Sequence, residues 1–195
     1  YNGLECVNGH WVGEGSEYAG DKCREWDAKN LAYKDKFYYF SDIKPGDWGR
    51  DVISVHSNVK ETLDACIFAF RPNDKENYIN EPENEAGDGS AWKGELSKYL
   101  QLFAWWDIHV NGIFEPAKGE KKLYKGLMND QGIQLELWGK KPVYVGTAWC
   151  AGKQDVNMST GEISCDGSGM GDIAQTDSFR MALITYAELK RWYSP

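Results

Sequence analysis

Oxygen ligands are the chemistry this chain has most of: 30 Asp and Glu stand against 22 Lys and Arg. One run spaces them for a hard cation. In WWDIHVNGIFEP, Asp107, Asn111 and Glu115 stand four residues apart, Gly112 permits a sharp turn, and the Ile113 carbonyl follows it. Ca2+ takes several oxygens, carboxylate and backbone carbonyl among them, from a flexible loop. The run is a compressed EF-type loop. It makes Asp107, Asn111, Ile113 and Glu115 a candidate Ca2+ site, the only cofactor expected. The competing reading is a β-turn with Asn-Gly at its corner.

Two further acidic stretches invite chemistry. EPENEAGD alternates Glu81, Glu83 and Glu85, with Asp74, Glu76 and Asp88 around them. A glycosidase needs two carboxyl groups about 5–10 Å apart across a cleft. Spacing alone does not supply that cleft, and the stretch reads as a solvated acidic loop. CDGSGMGDIAQTDSF, Cys165 to Phe179, is rich in glycine but has no Lys, carries three acids and leads into strand-like sequence. A phosphate loop needs glycines opening a helix, usually with Lys, so that reading fails. Asp166, Asp172 and Asp177 are read as Asx-turn acceptors before cation ligands.

No nucleophile stands out. There is no GxSxG elbow, no HExxH and no CxxC pair. Cys66 lies in apolar ACIFAF, a setting that raises a thiol's pKa. No catalytic residue is assigned. Cys6 and Cys23 bracket one polar loop, and Cys150 and Cys165 bracket another. Each pair fits a disulfide staple, contributing on the order of 3 kcal/mol, with Cys66 left over. Five reduced cysteines are the alternative.

The elements that must hold these residues are strands. Lys36–Phe40, the alternating RDVISVHSNV, Ala65–Phe70, Gln101–Trp106, PVYVGTAWC and SFRMALITYAEL read as short strands separated by turns such as KPGDWG. Residues 1–35 read as an irregular, stapled start, and 71–94 as an acidic insertion loop ending in a short helix at GELSKYL. With no strand–helix alternation, the pattern predicts one all-β domain over 1–195. It is an antiparallel β-sandwich of jelly-roll type with long loops and at most one or two short helices.

The net charge of −8 and a pI near 5.0 disfavour nucleic acid and anionic membrane as partners, since binding either needs clustered Lys and Arg. No apolar run of about 18 residues offers a membrane span.

Four phrases, in order, carry a resemblance: SDIKPGDWGRDVISVHSN; ENYINEPENEAGDG; GELSKYLQLFAWWDIHVNGIFEP; and AWCAG with CDGSGMGDIAQTDSF. Together, over about residues 36–190, they resemble the TasA/camelysin-like secreted proteins, exported with a SipW-type signal peptide. The resemblance implies a secreted, extracellular or cell-surface jelly roll. It further implies a structural subunit of surface or biofilm-matrix filaments, whose partners are copies of itself and other matrix components. Its copies would join by donor-strand complementation, a segment of one filling a strand position in the next. Part of that family is described as metalloproteases, so a secreted hydrolase is the alternative. A carbohydrate-binding module, stacking sugars on Trp11, Trp48, Trp92 or Trp105, is the third reading.

Overall fold

The computed structural model describes residues 5–8, 10–13, 20, 28–32, 38–41, 43–89, 92–130 and 132–190. The chain forms an all-β sandwich. A small hairpin of β1 (Glu5–Val7) and β2 (His10–Val12) comes first, so the opening residues are not wholly irregular as expected. Eight longer strands build the body: β3 (Tyr38–Ser41), β4 (Trp48–Val55), β5 (Thr62–Lys75), β6 (Leu100–Trp106), β7 (Lys122–Leu127), β8 (Gly132–Trp138), β9 (Val143–Ala151) and β12 (Ser178–Leu189). A second hairpin, β10 (Lys153–Val156) with β11 (Ile163–Asp166), lies between β9 and β12.

The sheets are ordered β3-β12-β5-β8 and β4-β9-β6-β7, with every pairing antiparallel. Successive strands cross between the two sheets until β6, and the chain returns by β8, β9 and β12. That alternation is the jelly roll the turn spacing predicts.

Alternation places the core. On β8 every second residue is buried (Ile133, Leu135, Leu137) while its neighbours face water. These pack with Ala65, Ile67, Ala104, Val143 and Val145 at one end of the sandwich. Tyr38, Phe40, Leu100, Leu102, Trp149, Phe179 and Met181 fill the other end. β6 is buried on both faces: Phe103 and Trp105 point outward beneath Phe114, with Val156 and Ile163 alongside. Trp105 lies flat on β9 because Gly146 has no side chain; a Cβ there would stand 2.2 Å from the indole.

The acidic segment differs from the expected insertion loop. β5 runs on through Lys75, pairing with Ser178, so residues 71–75 belong to a strand. The register of β12 on β5 slips between Arg180 and Ala182, opposite Asn73 and Phe70. Pro72 sits in that irregularity, beyond the reach of β8, which pairs only Thr62 to Phe68. A proline has no N–H to give the ladder and is tolerated where pairing is broken or one-sided. A single α-helical turn, α1 (Glu81–Glu85), follows. The GELSKYL helix is one 3-10 turn at Leu96–Lys98.

Candidate functional site

The loop between β6 and β7 is wound around its own acids. Asp107 is buried, and its Oδ1 and Oδ2 accept the N–H groups of Asn111 (3.3 Å) and Gly112 (2.9 Å). Asn111 Oδ1 accepts the Ile113 N–H, and Asn111 Nδ2 donates to Glu115 Oε2 at 2.9 Å. The other Glu115 oxygen meets Lys118 Nζ at 2.5 Å. Glu120, which the sequence reading passed over, closes the loop. It accepts from the Ile108 N–H (3.1 Å) and the Glu115 N–H (2.8 Å), with His109 Nδ1 3.2 Å away. His109, Glu115 and Glu120 bring three ligand atoms within 4.8 Å of one another. Yet every carboxylate oxygen of this loop already has a polar partner, with the side chains of Lys118 and His109 among them. The four residues expected to hold Ca2+ are brought together, in a loop whose acids are occupied by its own backbone and by Lys118 and His109.

A second group of acids has the opposite character. Glu76 directly follows β5, Glu83 lies on α1, Asp88 follows α1, Glu95 precedes the 3-10 turn, and Asp177 precedes β12. All five are buried, Glu83 and Asp177 fully and Glu76 to 7% exposure. The solvated loop read from EPENEAGD is therefore corrected: Glu81 and Glu85 face water, whereas Glu83 turns inward.

Each arrival has a local cause. Asn80 caps α1 through a capping box, its Oδ1 accepting the Glu83 N–H (3.0 Å) while Glu83 Oε2 accepts the Asn80 N–H (2.8 Å). Pro82 suits the first turn, where no N–H is needed. Thr176 donates its N–H to Glu83 (3.0 Å) and its hydroxyl to the Tyr78 carbonyl (2.6 Å), which ties α1 and the segment before it to the entry of β12. Asp177 Oδ2 accepts the N–H groups of Glu95 and Leu96 (3.2 Å to the latter), capping the 3-10 turn. It is not the local Asx turn expected of it; Asp166, whose Oδ1 accepts the Ser168 N–H at 2.9 Å, does make one. Gly94 lets Asp177 come close, since a Cβ there would lie 2.8 Å from its carboxylate.

The remaining oxygens face one another. Glu76 Oε1 and Oε2, Glu95 Oε2 and Asp177 Oδ1 are buried without a hydrogen-bond donor among the described residues. Ligand atoms of Glu76, Glu83 and Asp177 lie within 4.8 Å of one another, as do those of Glu76, Asp88 and Glu95, so Glu76 is common to both triplets. Lys98 reaches Glu95 Oε1 at 3.3 Å from the surface. Two carboxylates at this spacing repel by about 3 kcal/mol at an effective dielectric near 20. Burial, with Asp177 and Glu83 adding like charge, pushes the Glu76 carboxyl up to about 7. Burial also raises Asp177, against the pull of its two N–H bonds.

Cys150 and Cys165 form a disulfide that ties the end of β9 to β11. Cys66, on β5, is a free thiol. The Cys6–Cys23 pairing lies outside the described residues. A cleft of about 130 Å³ beside the disulfide is lined by Trp48, Trp149, Gln154 and Ile163 among others, with no carboxylate; it is smaller than an organic ligand needs. Of the tryptophans proposed for sugar stacking, Trp105 is fully buried and so withdrawn from any sugar, whereas Trp92 is 92% exposed. The Trp11 side chain lies outside the described residues.

The long strand β12 has an uneven edge. One side pairs with β5 from Ser178 to Leu189. On the other side, among the described residues, β3 pairs only with Ser178–Met181. Burial follows that boundary: Phe179 and Met181 are buried in the core, Leu183 is half-buried, and Thr185, Ala187 and Leu189, next on the same face, are exposed.

Comparison of the chain with protein families, with curated proteins and with solved structures finds no match. No helix among the described residues is long and apolar enough to cross a membrane.

Proposed function

We propose that the protein is a secreted structural subunit that assembles into extracellular filaments, an extended segment of one copy adding to the β12 edge of the next. The observation that carries this reading is the second half of β12. Among the described residues it has a strand on one side only, and its core-facing side chains are exposed beyond the stretch that Tyr38–Ser41 pairs. An open edge beside uncovered inward-facing positions is what strand addition uses: the ladder gives affinity, and alternate side chains fill the gap. The jelly roll, the Cys150–Cys165 staple and the ordered TasA-like phrases fit an exported scaffold.

The test is assembly of the purified full chain, followed by light scattering and negative-stain electron microscopy. Thr185→Lys with Ala187→Lys puts two charges on exposed positions of the edge, a device that blocks strand pairing. The wild type is expected to give filaments and the double variant a folded monomer. A wild type that stays monomeric under all conditions, or filaments that form equally from the variant, would sink the reading.

A further inference from the structure

Five carboxylates from four separate segments converge beneath the surface where β5 ends and β12 begins. Acids gathered in this way need something positive among them. Among the described residues the donors on Glu83, Asp177 and Glu95 are already engaged: the Asn80 N–H and the Thr176 N–H on Glu83, the Glu95 and Leu96 N–H groups on Asp177, and Lys98 on Glu95. What they leave over is the telling part. Glu76 is 7% exposed, follows a strand that fixes its backbone, and aims both oxygens into the cluster with no donor for either among the described residues. Asp177 Oδ1 and Glu95 Oε2 are buried in the same condition.

We propose that Glu76, with Glu83 and Asp177 on one side and Asp88 and Glu95 on the other, binds a hard divalent cation, Ca2+ before Mg2+. The donor set is oxygen only, which suits these ions and not zinc or copper. Ligand count favours Ca2+, which takes about six to eight oxygens from a protein cage, whereas Mg2+ usually keeps several waters and takes one or two carboxylates. Within each of the two triplets the ligand atoms lie within 4.8 Å of one another. Glu83 can still ligate: with the Thr176 hydroxyl on the Tyr78 carbonyl, each Glu83 oxygen accepts one N–H and keeps a second lone pair. The bound ion would pin α1, the 3-10 turn and the entry to β12 onto the end of β5. This site is separate from the Asp107 loop, and its existence does not depend on filament assembly.

The experiment is calorimetric titration of Ca2+ and of Mg2+ into the chelator-stripped full chain, with thermal unfolding in parallel. Ca2+ is expected to bind more tightly than Mg2+ and, at a hundredfold excess over Kd, to raise the midpoint by about 5–10 °C. Glu76→Gln and Asp177→Asn are each expected to weaken binding tenfold or more, and Glu115→Gln to leave it unchanged. Because Glu76→Gln removes a repelling charge, its midpoint in chelator is expected at or above the wild type's, which shows that the variant folds. The proposal is overturned if millimolar Ca2+ gives neither heat nor a thermal shift. It is equally overturned if binding survives Glu76→Gln but is lost in Glu115→Gln, or if Glu76→Gln lowers the midpoint equally with and without Ca2+.

Discussion

At the scale of single residues, Gly94 and Glu76 set the state of the acidic cluster. Gly94 is small so that the Asp177 carboxylate can cap the turn beginning at Glu95. Gly94→Ala forces either the cap or the strand entry aside, and overpacking of this kind costs about 1–3 kcal/mol; urea unfolding should show it as a lower midpoint with an unchanged slope. Glu76 carries a sign that can be worked out. Its carboxyl titrates near 4.5 in an unfolded chain and at about 7 in the ion-free fold, facing Asp177, Glu83 and Asp88, with Glu95 engaged by Lys98. Between those values the folded state keeps a proton that the unfolded chain has released. Its contribution to stability is fully present below about pH 4.5 and is lost as pH rises through about 7. In chelator, the gap in stability between wild type and Glu76→Gln should therefore widen from pH 5 to pH 8, with the wild type falling behind. Urea midpoints at the two pH values measure it, and parallel profiles would refute it.

At the scale of elements, the disulfide is the clearest case. Cys150 and Cys165 lie 15 residues apart and join β9 to the β10–β11 hairpin, so the bridge closes a short loop and restricts the unfolded chain. Replacing both by Ala should cost about 3 kcal/mol by that account, read as a lower urea midpoint than the wild type's when both are measured without reductant. This staple was legible because two cysteines flanking a polar turn carry their own geometric hint. The strands were legible for a similar reason. SFRMALITYAEL alternates, and β12 spans Ser178–Leu189. What the sequence hid is the inward turn of Glu83. On a 24-residue polar stretch, alternating glutamates look the same whether solvated or buried. The difference is made by Thr176, 93 residues away, which hydrogen-bonds to Glu83. Asp177 was hidden in the same way, since its acceptors serve N–H groups 81 and 82 residues back along the chain. The Asp107 run was visible as a group but not in its function as a loop former, because Glu120, five residues past Glu115, takes two of the backbone donors.

For the whole molecule, the uneven edge of β12 makes a prediction that separates scaffold from finished monomer. A sandwich closes its core only where each sheet is complete. Here β12 is flanked by β3 and β5 over Ser178–Met181 and, among the described residues, by β5 alone from Ala182 to Leu189. Amide exchange reads that difference directly, because an N–H that points away from β5 beyond Met181 has no ladder partner among those residues and opens at little cost. In the monomer, amides of Ser178–Met181 should exchange slowly throughout. Those of Ala182–Leu189 should alternate, slow where they bond β5 and fast where they face the open side. On assembly the fast set should become slow, while the outer edges of β7 and β8 stay as they were, since strand addition at β12 engages no other ladder. Residue-resolved hydrogen exchange on monomer and filament measures both patterns. Uniform protection along β12 in the monomer, or filaments that leave its fast amides fast, would mean that copies of this chain join through another surface.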